Sequence, residues 1–446
     1  MPRFHIENFG CRATQADGAA IERQLEQQGF SRSEPAEADV VVLNTCTVTA
    51  AADQDARSAI RRIHRQNPGC RILVTGCYAQ RAPAELAALP GVTSVIGNSH
   101  KQHVAAVAAR TFFATSSNFV PLQSLETGDQ PLVGNIFAHT ELLAAPVFES
   151  GDHSSRTRPN LKIQDGCNNR CSFCVIPFVR GRSRSLRADD VLREVEALER
   201  AGYREIVLSG INLGRWGRDF EQPRRFEDLL RLVLEQTSIE KIRISSVEPM
   251  DWTEKLIGLF ANSPRIAKHA HLPLQSGSDF ILRRMHRKYR PWHYAEKVLK
   301  IRELMPEAAI GADVMVGFPG EHEAAFEETR SFIEHLPFTY LHVFTYSSRP
   351  GTVAARMPDQ VPVRVARERN RVLRELAAKK NAGFREQFIG RALPAITLSE
   401  RNSDSTAALT DNYIKLRIRG LHPANQWRNV MVEKLGHDGL VGRAVW

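Results

Sequence analysis

Long apolar runs are missing from this chain: no eighteen consecutive apolar residues occur in its 446, which argues against a membrane-spanning helix. The start, MPRFHIENFGC, lacks a basic segment followed by an apolar core, so no secretory leader is expected and the protein reads as soluble and cytoplasmic, with no membrane partner. Cysteine is scarce. The seven cysteines are odd in number and unevenly spaced, which argues against a disulfide framework and leaves reduced thiols acting as ligands or nucleophiles. Stability must come from burial instead, and a chain of this length with 42% hydrophobic residues can form two to four domains with their own cores.

Charge is plentiful and unbalanced. Lys and Arg number 60 against 50 Asp and Glu, a formal net charge of +10. A polyanionic partner fits that excess, as do solvated Arg-rich helices.

Short β-branched runs alternate with helical stretches over the first hundred residues: FHIENFGC, ADVVVLNTC, RILVTGC and VTSVIGN. This predicts a parallel α/β sheet domain over 1–111. Residues 112–158, rich in Ser, Thr, Pro and Gly, read as a linker or loose connection. Six further strands, LKIQDGC, EIVLSGIN, KIRISSVEP, HAHLPLQSG, IGADVMVGFPG and YLHVFTYSS, predict a partial (β/α) barrel over 159–380, with its chemistry at the carboxyl ends of the strands. The region 381–446 reads as a small all-β barrel, so the whole is an α/β protein with a β-barrel at its C-terminal end.

Three cysteines crowd one short loop, Cys167, Cys171 and Cys174, spaced C-x3-C-x2-C after a predicted strand. Structural zinc closes its tetrahedron with four protein ligands, whereas three thiolates leave one iron of a cubane cluster open to a small molecule. Zinc with a histidine as fourth ligand is the competing reading, although no His lies within the loop. Cys11, Cys46 and Cys77 each fall just past a predicted strand of the N-terminal sheet, and parallel strands align those ends on one edge. They form either a second three-thiolate site or three buried, hydrophobe-like side chains. Cys70 begins the strand that delivers Cys77; at about 3.3 Å per residue the two sulfurs should lie roughly 20 Å apart, so Cys70 is no ligand.

The C-x3-C-x2-C loop with Phe173 before its last cysteine resembles the radical S-adenosylmethionine enzymes, and VVLNTCTVT, VTGCYAQ, LKIQDGCNNRCSFCVIP, HLPLQSGSD, VGFPGE and YSSRPGTVAARMP resemble, in order, the motifs of the methylthiotransferases. That resemblance, over almost the whole chain, implies a radical-SAM barrel and two [4Fe-4S] clusters, an auxiliary one on Cys11, Cys46 and Cys77 and a radical one on Cys167, Cys171 and Cys174. It implies S-adenosyl-L-methionine as cofactor, bound near Ser209, Gly210, Gln275, Ser276, Gly277, Gly317 and Gly320. Glu248 would meet ribose hydroxyls or substrate, or else serve helix entry beside Pro249. His269 and His271 alternate on one strand and read as satisfied core or surface histidines.

The implied reaction replaces the C2 hydrogen of an adenine in the tRNA anticodon loop by a methylthio group. A flavodoxin- or ferredoxin-like electron donor and a sulfur source are implied as partners. Arg180, Arg182, Arg184 and Arg187, just past the cysteine loop, are expected to meet phosphates. The C-terminal piece resembles the TRAM domain, an OB-like RNA-gripping barrel, in which Tyr413 would stack on a base and Lys415, Arg417 and Arg419 would contact the backbone. The basic helix over 364–380 presents either a positive face to RNA or ordinary surface charge. The arm from Arg180 to Ser185 resembles enzymes of the N6-threonylcarbamoyladenosine branch; an isopentenyladenosine enzyme and a non-catalytic iron-sulfur or zinc RNA-binding protein are the alternatives.

Overall fold

The computed structural model of the chain describes residues 1–113, 130–138, 142, 157–437 and 439–445. Most of the expected connection at 112–158 lies outside the described residues. Two compact units emerge, and they do not follow chain order. The first holds Met1–Pro146, Gln164–Ser185 and Ser347–Ala355; the second holds Val147–Ile163, Leu186–Tyr346 and Arg356–Trp446.

In the first unit five strands, β1 (Arg3–Asn8), β2 (Ser31–Arg32), β3 (Val40–Thr45), β4 (Arg71–Gly76) and β5 (Val92–Gly97), form a parallel sheet in the order β2-β1-β3-β4-β5. Helices α1 (Arg12–Gln27), α2 (Ala50–Gln66), α3 (Cys77–Arg81), α4 (Pro83–Ala87) and α5 (Val104–Phe113) connect or follow them. The run Val40-Val41-Val42-Leu43 shows why the sheet is covered on both faces. Val41 and Leu43 pack with Ile60 and Ile63 of α2, whereas Val40 and Val42 pack with Ile21 of α1 and Val104 of α5. Such continuous apolar strands are what a doubly covered parallel sheet requires.

The partial barrel is built from β6 (Asn160–Asp165), followed by α6 (Ile176–Arg180), β7 (Arg184–Ser185) and α7 (Ala188–Arg200). Then come β8 (Glu205–Gly210), α8 (Phe226–Gln236), β9 (Lys241–Ile244), α9 (Glu254–Asn262), β10 (His269–His271), α10 (Asp279–Arg284), α11 (Pro291–Leu304), β11 (Ala309–Val316), α12 (Glu323–His335) and β12 (Tyr340–Thr345). All six expected strands are present as β6, β8, β9, β10, β11 and β12. Pairing is parallel between β8 and β9, β10 and β11, and β11 and β12. Alternate residues such as Ile242, Ala270, Ala312 and Val314 enter the core under the helices, which leaves the other face of each strand to the barrel interior.

Helix α13 (Val363–Glu386) lies along β12 with Ala366, Leu373 and Ala377 inward. After it, β13 (Ala392–Arg401), β14 (Ser405–Thr410), β15 (Lys415–Arg419), β16 (Trp427–Leu435) and β17 (Leu440–Val445) close a five-stranded barrel in the order β13-β14-β15-β17-β16. Arg243, buried on β9, donates to Glu205 on β8 and to the Thr410 and Asp411 carbonyls of the β14–β15 turn. These bonds join the two barrels within the second unit.

Candidate functional site

The register of the N-terminal sheet dictates where three thiols go. Asn8 pairs with Asn44, and Thr45 pairs with Gly76. Cys46 and Cys77 therefore leave adjacent strands side by side, and Cys11 follows three residues beyond Asn8 at the N-cap of α1. Gly10 makes the approach possible. It sits at φ +101°, and a Cβ there would lie 2.5 Å from Cys46 Cβ and 2.8 Å from its sulfur. Cys46 and Cys77 are buried and Cys11 is exposed. Burial first, then the neighbouring Cys77 and Cys11, push the Cys46 thiol up to about 12, with the Val48 backbone and Arg180 opposing them. The three sulfurs thus feel one another, and a donor set of mutually repelling thiolates suits a cationic cluster that would draw off their charge. Cys70 packs instead with Ile60, Ile72 and Val74.

The second group rises from the loop after β6. Cys167 N–H donates to the Gly181 carbonyl at 3.1 Å, Cys174 N–H to the Cys171 carbonyl at 3.1 Å, and Asn169 N–H points at Cys167 Sγ from 3.4 Å. All three thiols are half-buried, with no fourth cysteine in the loop, a set that fits a cluster with one open iron. The two groups belong to the same compact unit. Cys77 packs directly on Val175 and Val179, which follow Cys174, and Asn98 Nδ2 bridges Cys77 Sγ (3.4 Å) to the Val179 carbonyl (2.7 Å).

Between the groups lies Arg180, 2% exposed. Its guanidinium donates to Asp165 at 2.9 and 3.1 Å and to Asp17 at 3.0 Å, and Lys101 holds the same Asp17 at 2.7 Å. Burial pushes the Arg180 guanidinium down, but Asp165, Cys77 and Asp17 outweigh it and leave it held well up, hence charged. Beside Cys46, Asp53 accepts from Thr47 at 2.6 Å, from Arg81 at 2.9 Å and from buried Arg349. Of these cations Arg180 is the one whose charge acts on the sheet-edge thiols.

Residues 3–97 match the Uncharacterized protein family UPF0004, and residues 161–333 match the Radical SAM superfamily. The threonylcarbamoyladenosine tRNA methylthiotransferase MtaB of Bacillus subtilis is 38% identical across 94% of this chain and 91% of its own length. Its namesake from Aquifex aeolicus is 37% identical across 96% and 99%. The chain belongs to the radical S-adenosylmethionine tRNA methylthiotransferase family. A tRNA-2-methylthio-N(6)-dimethylallyladenosine synthase from Syntrophobacter fumaroxidans is 38% identical across 82% of this chain and 78% of that one. Among solved structures, the radical S-adenosylmethionine methyltransferase TsrM of Kitasatospora setae shares the fold, with a TM-score of 0.55 at 14% identity over 76% of this chain and 72% of that one.

In this methylthiotransferase the strand-end residues expected at the S-adenosylmethionine pocket sit as follows. Ser209 is buried and its hydroxyl reaches toward the Leu161 carbonyl at 3.5 Å, with Gly210 next to it at the end of β8. Gln275 adopts φ +65° and bridges to β11 through its backbone. Ser276 and Gly277 turn inward to Thr329 of α12. Gly317 donates its N–H to Glu321 at 2.7 Å, and Glu321 is held by Arg369 of the basic helix. Gly320 follows at φ +82°, where a Cβ would lie 2.7 Å from Arg284 Nε. Glu248 is engaged by Arg287.

Several expected RNA contacts need correction. Arg180 is consumed by Asp165 and Asp17, and Arg184, also buried, donates to the Arg180 and Arg182 carbonyls. Neither guanidinium faces solvent, because two carboxylates inside the fold hold Arg180 and two backbone carbonyls hold Arg184. Arg182 and Arg187 are exposed. Tyr413 is stacked on His269 at 4.1 Å between centroids and lies under Arg243, so its ring is spent inside the second unit. Lys415 is exposed and Arg417 pairs with Glu400. Sequence reasoning missed Lys101, Asp165, Asp53 and Arg349 as site residues. A lone charged residue at the edge of an apolar segment carries no local signal for its partner.

Proposed function

We propose that this protein inserts a methylthio group at C2 of N6-threonylcarbamoyladenosine at tRNA position 37. The observation that carries the reading is the pair of three-thiol groups, each without a fourth thiol, brought into one compact unit with Cys77 packed against the helix that follows Cys174. The branch is supported by coverage, since five relatives named for threonylcarbamoyladenosine align over 93–99% of the chain.

Cys167, Cys171 and Cys174 would hold a [4Fe-4S] cluster that binds S-adenosylmethionine, and Cys11, Cys46 and Cys77 a second. Reduced, such a cluster supplies with its bound sulfonium the radical chemistry that an unactivated C–H bond demands. The chain's own residues do the rest. Arg180 fixes the loop after β6 to α1, and Asn98 holds Cys77 against Val179. Ser209, Gly210, Gln275, Gly317 and Gly320 would shape the cofactor pocket, and Glu248, oriented by Arg287, would face a ribose or the substrate. Exposed Arg182, Arg187 and Lys415 would meet phosphates, with residues 381–446 acting as a TRAM-like RNA-binding barrel after the α/β domain (1–111), connection (112–158) and radical-SAM barrel (159–380). Cytoplasmic tRNA, a flavodoxin- or ferredoxin-like reductant and a sulfur source would be its partners. No described helix is long and apolar enough to cross a membrane.

Nucleoside mass spectrometry of tRNA from a deletion strain tests the reading. The methylthiolated threonylcarbamoyl nucleoside should vanish and its unthiolated precursor accumulate; loss of a methylthio-isopentenyl nucleoside instead would move the protein to the other branch.

A further inference from the structure

Inside the partial barrel, three strands bring together two imidazoles and a carboxylate that the proposed reaction leaves unassigned. Asp313 on β11 is directly paired with His342 on β12, and His271 on β10 pairs with Gly311, two residues before Asp313. Side chains two apart share a strand face, so His271, Asp313 and His342 project to the same side. One ligand atom from each lies within 4.8 Å of the others. The ring centroids of His271 and His342 are 5.7 Å apart.

The arrangement is built rather than incidental. His271 is 6% exposed. Its Nδ1 is 2.7 Å from the Ser246 hydroxyl, a contact that fixes the ring orientation. Its Nε2, enclosed by protein, makes no hydrogen bond and stands 3.5 Å from Asp313 Oδ1. A buried imidazole nitrogen held at that long spacing from a carboxylate is a poorly compensated polar atom. Arg287, whose charge also acts on Asp313, is itself engaged by Glu248. His342 is exposed, which opens the cluster to the barrel interior.

We infer that His271, Asp313 and His342 form a binding site for a divalent first-row transition-metal ion, separate from both cysteine groups. Two imidazoles and one carboxylate are the donor set that iron(II) and zinc take with coordination positions left open, and imidazole disfavours magnesium and calcium. Metal–ligand bonds of about 2.0–2.2 Å set neighbouring donors roughly 3–3.5 Å apart, so closing the present spacing takes side-chain rotation and no movement of strands. Ser246 acts behind the metal, accepting from the non-ligating nitrogen of His271, as outer partners of ligating histidines do. The open positions face the interior, where an oxygen of a substrate could enter.

The test uses the anaerobically reconstituted full-length holoenzyme, freed of loose metal and titrated with zinc(II). Retained zinc is counted beside iron, and zinc X-ray absorption reads the ligands. One zinc per chain in addition to the cluster iron, with nitrogen and oxygen neighbours near 2.0–2.2 Å and no sulfur near 2.3 Å, is expected. His342→Ala, at an exposed position, and Asp313→Asn should each weaken zinc binding at least tenfold with iron content unchanged. Ser246→Ala should weaken it by about 10–100-fold. No retained zinc, zinc bound through sulfur, or binding indifferent to His342→Ala would overturn the inference.

Discussion

Replacing Arg180 by alanine separates two physical roles that one arginine can play. As a phosphate contact it would matter only when tRNA binds; as placed, it is a buried ion pair whose loss strands carboxylates in a low-dielectric interior. Removing one partner of a buried pair costs about 3–5 kcal/mol. Here Asp17 keeps Lys101 at 2.7 Å, and Asp165 keeps the Gly166 N–H at 2.8 Å, so the lower figure, about 3 kcal/mol, applies. At roughly 2–4 °C per kcal/mol for a unit of 150–250 residues, the melting temperature should fall by about 6–12 °C. Thermal unfolding followed by circular dichroism, at matched iron content, reads this directly. tRNA binding measured across a salt series reads the alternative, in which the log–log slope falls by about one phosphate's worth, roughly 0.9 for duplex and 0.7 for single strands. An unmoved melting point together with a shallower salt slope would refute the buried-pair argument. Arg180→Lys should fall between, because an ammonium keeps the charge but cannot fork to Asp165 and Asp17 together.

The remaining predictions concern iron, backbone and pH. Cys46→Ala should remove about half of the roughly eight irons expected per chain for two cubanes, whereas Cys70→Ala, in the apolar layer beneath the sheet, should leave iron content unchanged; colorimetric iron analysis checks both. Gly166 sits at φ +67° with Arg182 O only 2.0 Å from where a Cβ would go. Gly166→Ala should therefore destabilise by at least about 1–2 kcal/mol and displace the Cys167 loop, seen as loss of the S-adenosylmethionine-dependent change in the reduced cluster's electron paramagnetic resonance. Burial pushes the Glu205 carboxyl up, but Arg243 and Arg158 overcome it and hold it below the usual range. Its stabilisation is thus present above the unfolded value of about 4.3 and lost as pH falls through the lower folded value. Acid unfolding should steepen below about pH 4, and Glu205→Gln should remove that steepening while costing about 3–5 kcal/mol at neutral pH; an unchanged acid limb in the variant would remove Glu205 from the account.

The legible part of this protein is the part with a period or a motif. The runs VVVLNT and ILVTG read as doubly covered parallel strands because both of their faces are apolar, and their carboxyl ends put Cys46 and Cys77 on one edge without any coordinates. C-x3-C-x2-C implied three ligands and an open corner for the same local reason. Charged residues behaved differently. Arg180, Arg184 and Tyr413 carry the residue types of an RNA surface, yet the fold turns them inward toward Asp17, the Arg180 carbonyl and His269.

That division has one physical origin. Hydrophobic alternation and ligand spacing are local quantities, fixed by the rise of a strand and the length of a loop, and a linear sequence records them completely. A buried charge is decided by which opposite charge the finished fold delivers to it: Asp17 stands 163 positions before Arg180, and Asp313 meets His271 only because β10 and β11 are neighbours. Chain order determined the elements and the thiols; only packing determined which polar side chains were left for chemistry.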